Sequence, residues 1–191
     1  HSIMRKHSIL IRGKFYLFML AKLLLAFSVF GQSTSGPTPR MSLSSHHGTC
    51  NEQAVNYTAH VKEYFFSPDS NQSPAVSAMA TSYIKLNIPS PGVRPVLFIF
   101  NGGPGASSSP LHMNALGPWR IRREKDSSTL VENPYCLLDI TDLVFIDPPG
   151  TGYTRVFDST RAALYWDVKG DAQLFINIIQ QWRKENNRLA S

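Results

Sequence analysis

The sequence predicts an α/β fold whose sheet begins antiparallel. Three observations carry this expectation. Two short, continuous apolar runs, RPVLFIF at 94–100 and DLVFID at 142–147, have the pattern of strands buried on both faces. A glycine-rich loop follows each run. Beyond the second loop, apolar residues recur at helical spacing.

The elements follow in order. Residues 1–31 have the features of a secretory signal peptide. His1 to Ile3 precede a start at Met4, a basic region follows, and the apolar stretch FYLFMLAKLLLAFSVF runs to residue 30. That stretch has 16 residues and is broken by Lys22. It falls short of the ~20 residues a membrane-spanning helix needs, which favours removal over retention as an anchor. Val29 and Gly31 suit the −3 and −1 positions of a cleavage site before Gln32. No cysteine stands there to take a lipid. The expectation is a secreted or periplasmic protein that meets a membrane only during export.

Residues 32–50, QSTSGPTPRMSLSSHHGTC, are polar and turn-rich and read as a flexible linker. Within it, His46 and His47 read as solvated rather than metal-binding. NYTAHVKEYFF (56–66) and AMATSYIKLNI (78–88) carry β-formers with partial alternation around the turn-rich SPDSNQSP, and predict a hairpin. The strand 94–100 comes next, then NGGPG at 101–105. SSSPLHMNAL reads as a helix start, with Ser107 to Ser109 as capping residues. After the strand 142–147, Val168, Ala172, Phe175, Ile179 and Trp182 mark the core stripe of a helix.

The basic balance, 19 Lys and Arg against 13 Asp and Glu, belongs to the leader. Arg5, Lys6, Arg12, Lys14 and Lys22 lie in residues 1–31 without an acid, and the remainder is 14 against 13. No nucleic-acid surface follows from such a balance. Cys50 and Cys136 are the only cysteines. In an oxidising compartment they could pair with each other, pair beyond Ser191, or stay free, and neither has metal-ligand spacing. No metal or cofactor is expected.

Glycine loops after buried strands hold anions, because their N–H groups point into space no side chain fills. A phosphate loop needs Gly, four residues, then Gly-Lys-Ser/Thr. NGGPGASSS has no lysine. DPPGTGYT (147–154) places Asp147 where the first glycine belongs and Tyr153 where the lysine belongs. Those electrostatics are wrong for a triphosphate. The alternative is an oxyanion hole, with donors available at Gly102, Gly103 and Gly105, and Pro104 biasing Gly103 toward an extended conformation.

NGGPGASSSPLHMNALGPWRI, then ENPYCLLDITDLVFIDPPGTGYTR, then a helix near YWDVKGDAQLFINII, resemble the serine carboxypeptidase family over roughly residues 94–187. The resemblance implies an α/β-hydrolase fold, of which this is the N-terminal part of the mixed sheet, beginning with an antiparallel hairpin. It implies a peptidase that removes single residues from peptides with a free C-terminus by acyl-enzyme catalysis. By the same resemblance Gly103 N–H is an oxyanion donor. The Asn101 side chain and Gly102 N–H hold the substrate's terminal carboxylate. Asp147 to Tyr153 correspond to a loop near the site, with Tyr153 on the substrate side.

Three positions depart from the family's pattern. Ile99 stands for a tryptophan, Ala106 for a cysteine, and Ala115 for a glutamate that ordinarily favours acidic pH. The family's order is Ser, Asp, His, with the serine in a Gly-x-Ser-x-Gly elbow. No such elbow occurs in the sequence, so 51–191 reads as a partial hydrolase domain truncated before it, inactive by itself. Two alternatives are an aminopeptidase of the proline-iminopeptidase kind or an esterase, and a secreted non-catalytic binding domain. His112, close to Ser107–Ser109, shows no acid partner, which argues against a local triad.

Overall fold

The computed structural model describes residues 36–191, except 71, 103 and 104. The leader and its cleavage site lie outside the described residues. Thr38–Ser191 is one compact unit.

The main sheet has five strands: β1 (Met41–Cys50), β2 (Gln53–Phe66), β3 (Val76–Lys85), β4 (Val96–Ile99) and β7 (Asp142–Asp147), in the order β1-β2-β3-β7-β4. The predicted hairpin is β2–β3, with Tyr57 opposite Lys85 and Phe66 opposite Val76. β7 runs antiparallel to β3 and parallel to β4. The sheet is therefore mixed and mostly antiparallel. A separate hairpin, β5 (Trp119–Arg123) with β6 (Ser128–Glu132), lies between β4 and β7 in the chain.

Helices are few among the described residues. α1 (Ser109–Leu111) runs into a π-turn at His112–Leu116. α2 (Ser159–Ala162) is followed by a 3-10 turn at Ala163–Tyr165, and α3 spans Val168–Glu185. α3 starts where the Asp167 carboxylate accepts from Gly170 N–H, and Arg183 and Lys184 lie in its last turn, matching the helix dipole. No helix among the described residues is long and apolar enough to cross a membrane.

The period-two alternation of β7 divides the core. Val144 and Ile146 face Leu174, Ile178 and Trp182 of α3. Leu143 and Phe145 face Tyr57, Tyr83, Leu138 and the Cys50–Cys136 disulfide, which resolves the pairing the sequence left open.

Three expectations need correction. Residues 41–50 are not linker but the strand β1, paired with β2 from Met41↔Lys62 to Cys50↔Gln53. Both faces of β1 meet solvent over most of its length, so nothing selected for an apolar pattern there. β4 is not buried on both faces. Among the described residues it pairs with β7 alone, and Leu97 and Phe100 are partly exposed. On α3, Phe175, Ile179 and Trp182 pack as predicted, but Val168 is 90% exposed and Ala172 is exposed too. The buried stripe runs through Leu174 and Ile178, because the first turn of α3 projects past the sheet and borders a cleft instead.

Candidate active site

Parallel β4 and β7 end side by side, and each chain end continues into one of the two glycine loops. The loop after β4 closes on itself. Asn101 Nδ2 donates to Ser107 C=O at 3.3 Å, and Gly102 N–H donates to Asn101 Oδ1 at 2.9 Å. Gly105 has φ +91°, the left-handed region where a side chain would be strained. Gly103, the predicted oxyanion donor, lies outside the described residues.

The two loops are locked together by Asp147. Ser108 N–H donates to its Oδ1 at 2.7 Å, and Ser108 Oγ donates to the Ile146 carbonyl. Burial raises the Asp147 carboxyl against the lowering effect of those Ser108 contacts. Gly152, with φ +53°, is required opposite: a Cβ there would lie 2.1 Å from Asp147 Oδ2. So the aspartate that spoils the phosphate-loop pattern has a positive role as the clasp between the loops. Thr151 and Thr154 close the second loop, through Thr151 N–H to Thr154 Oγ1 at 3.0 Å and Thr154 Oγ1 to Thr151 C=O at 2.6 Å.

Between the loops and the start of α3 lies a cleft of about 420 Å³. Asn101 and Gly102 line it from the first loop, Pro148 and Pro149 from the second, and Trp166 and Asp171 from the entry and first turn of α3. Its charged lining residues are Asp167 and Asp171, and burial raises the Asp171 carboxyl. Two acids and no cation among its described lining residues argue against a polyphosphate ligand. Tyr153 does not line this cleft. Its side chain stands 78% exposed.

Ser108 is buried with its hydroxyl committed to Ile146, and Ser107 Oγ donates to Ser109 Oγ at 3.1 Å. His112 is engaged elsewhere: its Nε2 meets the Tyr83 hydroxyl at 2.6 Å, and its ring stacks on Phe145 at 4.5 Å. Burial lowers His112 to about 4. The unfolded chain takes up that proton below about pH 6.5 while the folded one does not until about pH 4. Stability from this site is therefore complete above pH 6.5 and falls by up to about 3 kcal/mol as pH drops toward 4. Urea unfolding at pH 7 and pH 4.5 should show this loss in the natural protein and lose that part of the difference in His112→Phe. An unchanged pH dependence in the variant would refute it.

A buried charge cluster beside the second loop was not legible in the sequence. Glu63 on β2 is 1% exposed and accepts from Arg40 and Arg155. Burial by itself would raise its carboxyl, but Arg155, Arg40 and Ser77 hold it well below the usual carboxylate range. In a strand of mixed polarity, Glu63 reads as a solvent-facing residue. Only its partners, 92 and 23 residues away, make it otherwise.

Two glycine-bearing loops at the carboxyl ends of neighbouring parallel strands, in a sheet with an antiparallel start, define an α/β-hydrolase type of domain. The chain belongs to the serine carboxypeptidase family, whose model matches residues 83–191. It is 35% identical over 92 residues to the pheromone-processing carboxypeptidase KEX1 of Podospora anserina, covering 48% of this chain and 14% of that protein. The KEX1 of Coprinopsis cinerea is 44% identical over 85 residues, 42% of this chain and 13% of the relative. Serine carboxypeptidase-like 36 of Arabidopsis thaliana is 39% identical over 61 residues, 31% of this chain and 12% of the relative. The matched segments thus span about one seventh or less of these proteins' lengths.

Proposed function

We propose that the whole protein is a serine-type carboxypeptidase acting on peptides with a free C-terminus, and that residues 101–105 read the substrate's carboxylate and its developing oxyanion. The observation that carries this reading is the Asn101–Gly102 pair, placed on the cleft at the end of β4 by the Asp147–Ser108 clasp. An exopeptidase must recognise a carboxylate next to the scissile bond. An amide and a backbone N–H do so without leaving a buried, unpaired cation when the site is empty of substrate.

Asn101 Nδ2 uses one proton on Ser107 and has a second for the carboxylate. Gly102 N–H rests on Asn101 Oδ1, a neutral acceptor that a carboxylate would replace with a charge-assisted bond. Gly103 N–H would face the oxygen that gains charge when the nucleophile attacks, a donor worth about 3 kcal/mol of barrier. Tyr153, two residues past the cleft-lining Thr151, would meet substrate through its exposed ring. The serine, aspartate and histidine of the triad are assigned to parts of the protein other than residues 1–191, so this segment by itself would show no turnover. Export through the leader at 1–31, with a secreted or periplasmic mature enzyme, belongs to the same reading.

The test is kcat/KM of the full-length enzyme on one peptide as free acid and as C-terminal amide. Asn101→Ala removes a donor to a charged group, worth roughly 1.5–3 kcal/mol, or about ten- to a hundredfold. That loss should fall on the acid and largely spare the amide, whereas distorting Gly103 should slow both. Equal losses on acid and amide for Asn101→Ala would mean that Asn101 only braces the loop through Ser107, and the carboxypeptidase reading would lose its chemical basis.

A further inference from the structure

We propose that Arg40 is a positioning residue for the substrate-side loop, tying the backbone at Tyr153 to the carboxylate of Glu63 inside the sheet. The inference rests on the reading above only for what Tyr153 contacts; the tie itself is independent of it.

Glu63 is the fixed point. Its oxygens accept from Arg40 N–H at 3.0 Å, Arg40 Nε at 3.0 Å and Nη2 at 3.1 Å, and from Arg155 Nε at 2.8 Å and Nη2 at 2.7 Å. A carboxylate buried this way cannot swing out without leaving two guanidinium groups unpaired. Arg155 is immobilised further. Its guanidinium lies 4.9 Å from the Phe157 ring and 5.3 Å from the Phe65 ring. Its backbone pairs with Ser77, through Ser77 N–H to Arg155 C=O at 2.8 Å and Arg155 N–H to Ser77 Oγ at 2.7 Å. The end of the second loop is thereby bolted to β3.

Arg40 carries the tie one step further. The Nη2 that binds Glu63 also donates to the carbonyl of Tyr153, 113 residues away in the chain. Gly150 (φ +81°) and Gly152 (φ +53°) put the backbone before Tyr153 in the left-handed region, and the Arg40 bond holds the chain where it leaves that turn. The Tyr153 ring is exposed, so the hold on this residue is on its backbone: the carbonyl bond fixes where the side chain is rooted. A planar guanidinium can grip the carboxylate and the carbonyl at once; a lysine ammonium on its flexible stem cannot reproduce that fork.

The experiment uses the full-length protein with Arg40→Ala, Arg40→Lys, Tyr153→Ala and the Arg40→Ala/Tyr153→Ala pair. Arg40 is half exposed and Glu63 keeps Arg155, so the variants should fold. Arg40→Ala should raise KM for a free-acid peptide by about tenfold, the worth of one hydrogen bond from a charged donor, with kcat within about twofold. Tyr153→Ala should do the same, and the double variant should add nothing further. Arg40→Lys should not restore KM. Backbone amides of 150–154 should exchange at least about tenfold faster in Arg40→Ala. Additive losses, an unchanged KM, or unchanged exchange in 150–154 would each overturn the proposal. A wild-type enzyme that leaves free-acid peptides intact would sink the carboxypeptidase reading instead, and the exchange measurement would still decide the tie.

Discussion

Replacing Cys50 and Cys136 together by Ala should lower the unfolding free energy by about 4.6 kcal/mol. The bridge joins residues 86 apart in sequence, and closing a loop of that length removes about that much conformational freedom from the unfolded chain. Both cysteines are fully buried in the cluster formed with Tyr57, Tyr83 and Leu138, so the folded state also loses packing. Hydrogen bonds at the same junction oppose the loss only partly. Asn51 N–H donates to Pro134 C=O at 2.7 Å, and Asn51 Nδ2 to Cys136 C=O at 3.2 Å and to Asp139 Oδ1 at 3.1 Å. These bonds hold the turn after β1 to the segment before β7 in the native state but do nothing to restrain the denatured one. Urea unfolding of the natural protein and the double variant is the measurement. A difference below about 1 kcal/mol would show that those local bonds, not the bridge, hold the junction.

Asp142→Ala should destabilise the protein by about 3–5 kcal/mol, the usual cost of removing one partner from a buried ion cluster. Asp142 opens β7 with none of its side chain exposed. Its Oδ1 accepts from Arg94 Nε at 3.0 Å and from Lys85 N–H at 3.0 Å, and its Oδ2 from Arg188 Nη2. Arg188 is buried as well and also donates to the Pro91 carbonyl. The variant would strand two guanidinium groups. Arg94 keeps its 2.8 Å bond to Leu138 C=O, which sets the loss toward the lower end of the range. The cluster lies at the start of β7, a strand length of roughly 16 Å from Asp147 at the other end. On the proposed function, peptide KM in whatever variant remains folded should therefore stay within about twofold of the natural protein's. Equilibrium unfolding gives the first quantity and steady-state kinetics the second. A loss under about 1 kcal/mol would mean that water reaches the two arginines, and a large rise in KM would mean that the cluster shapes the cleft.

These two sites and the Arg40–Glu63 tie share one property: none was legible in the sequence. Cys50 and Cys136 were visible as the only pair, yet composition leaves their partners open. Asp142 reads as the polar first residue of an apolar strand, and Arg188 as one more cation after a helix. By contrast, the features with local causes were read correctly. The β2–β3 hairpin follows from alternation around a turn-rich segment, and the anchor of Phe175 and Trp182 on the sheet follows from helical spacing. The helix stripe was shifted only where its first turn leaves the sheet, since periodicity reports an amphipathic face but not where the partner surface stops.

By itself the sequence determined the α/β class, the position of both glycine loops and the resemblance that led to the family. These depend on short-range physics: a buried strand must be apolar, a loop that offers N–H groups must lack side chains, and a left-handed turn favours glycine. Tertiary structure alone decided that 41–50 is a strand, that β4 runs parallel beside β7, that Cys50 meets Cys136, and that Asp147 clasps Ser108 instead of facing the cleft. A strand open to solvent on both faces has no burial pattern to show, and its pairing exists only in the backbone bonds to its neighbour. An Asp or Glu reads the same in a sequence whether it ends up solvated or buried, and what Glu63, Asp142 and Asp147 do depends on donors 92, 46 and 39 residues away that only folding brings within reach.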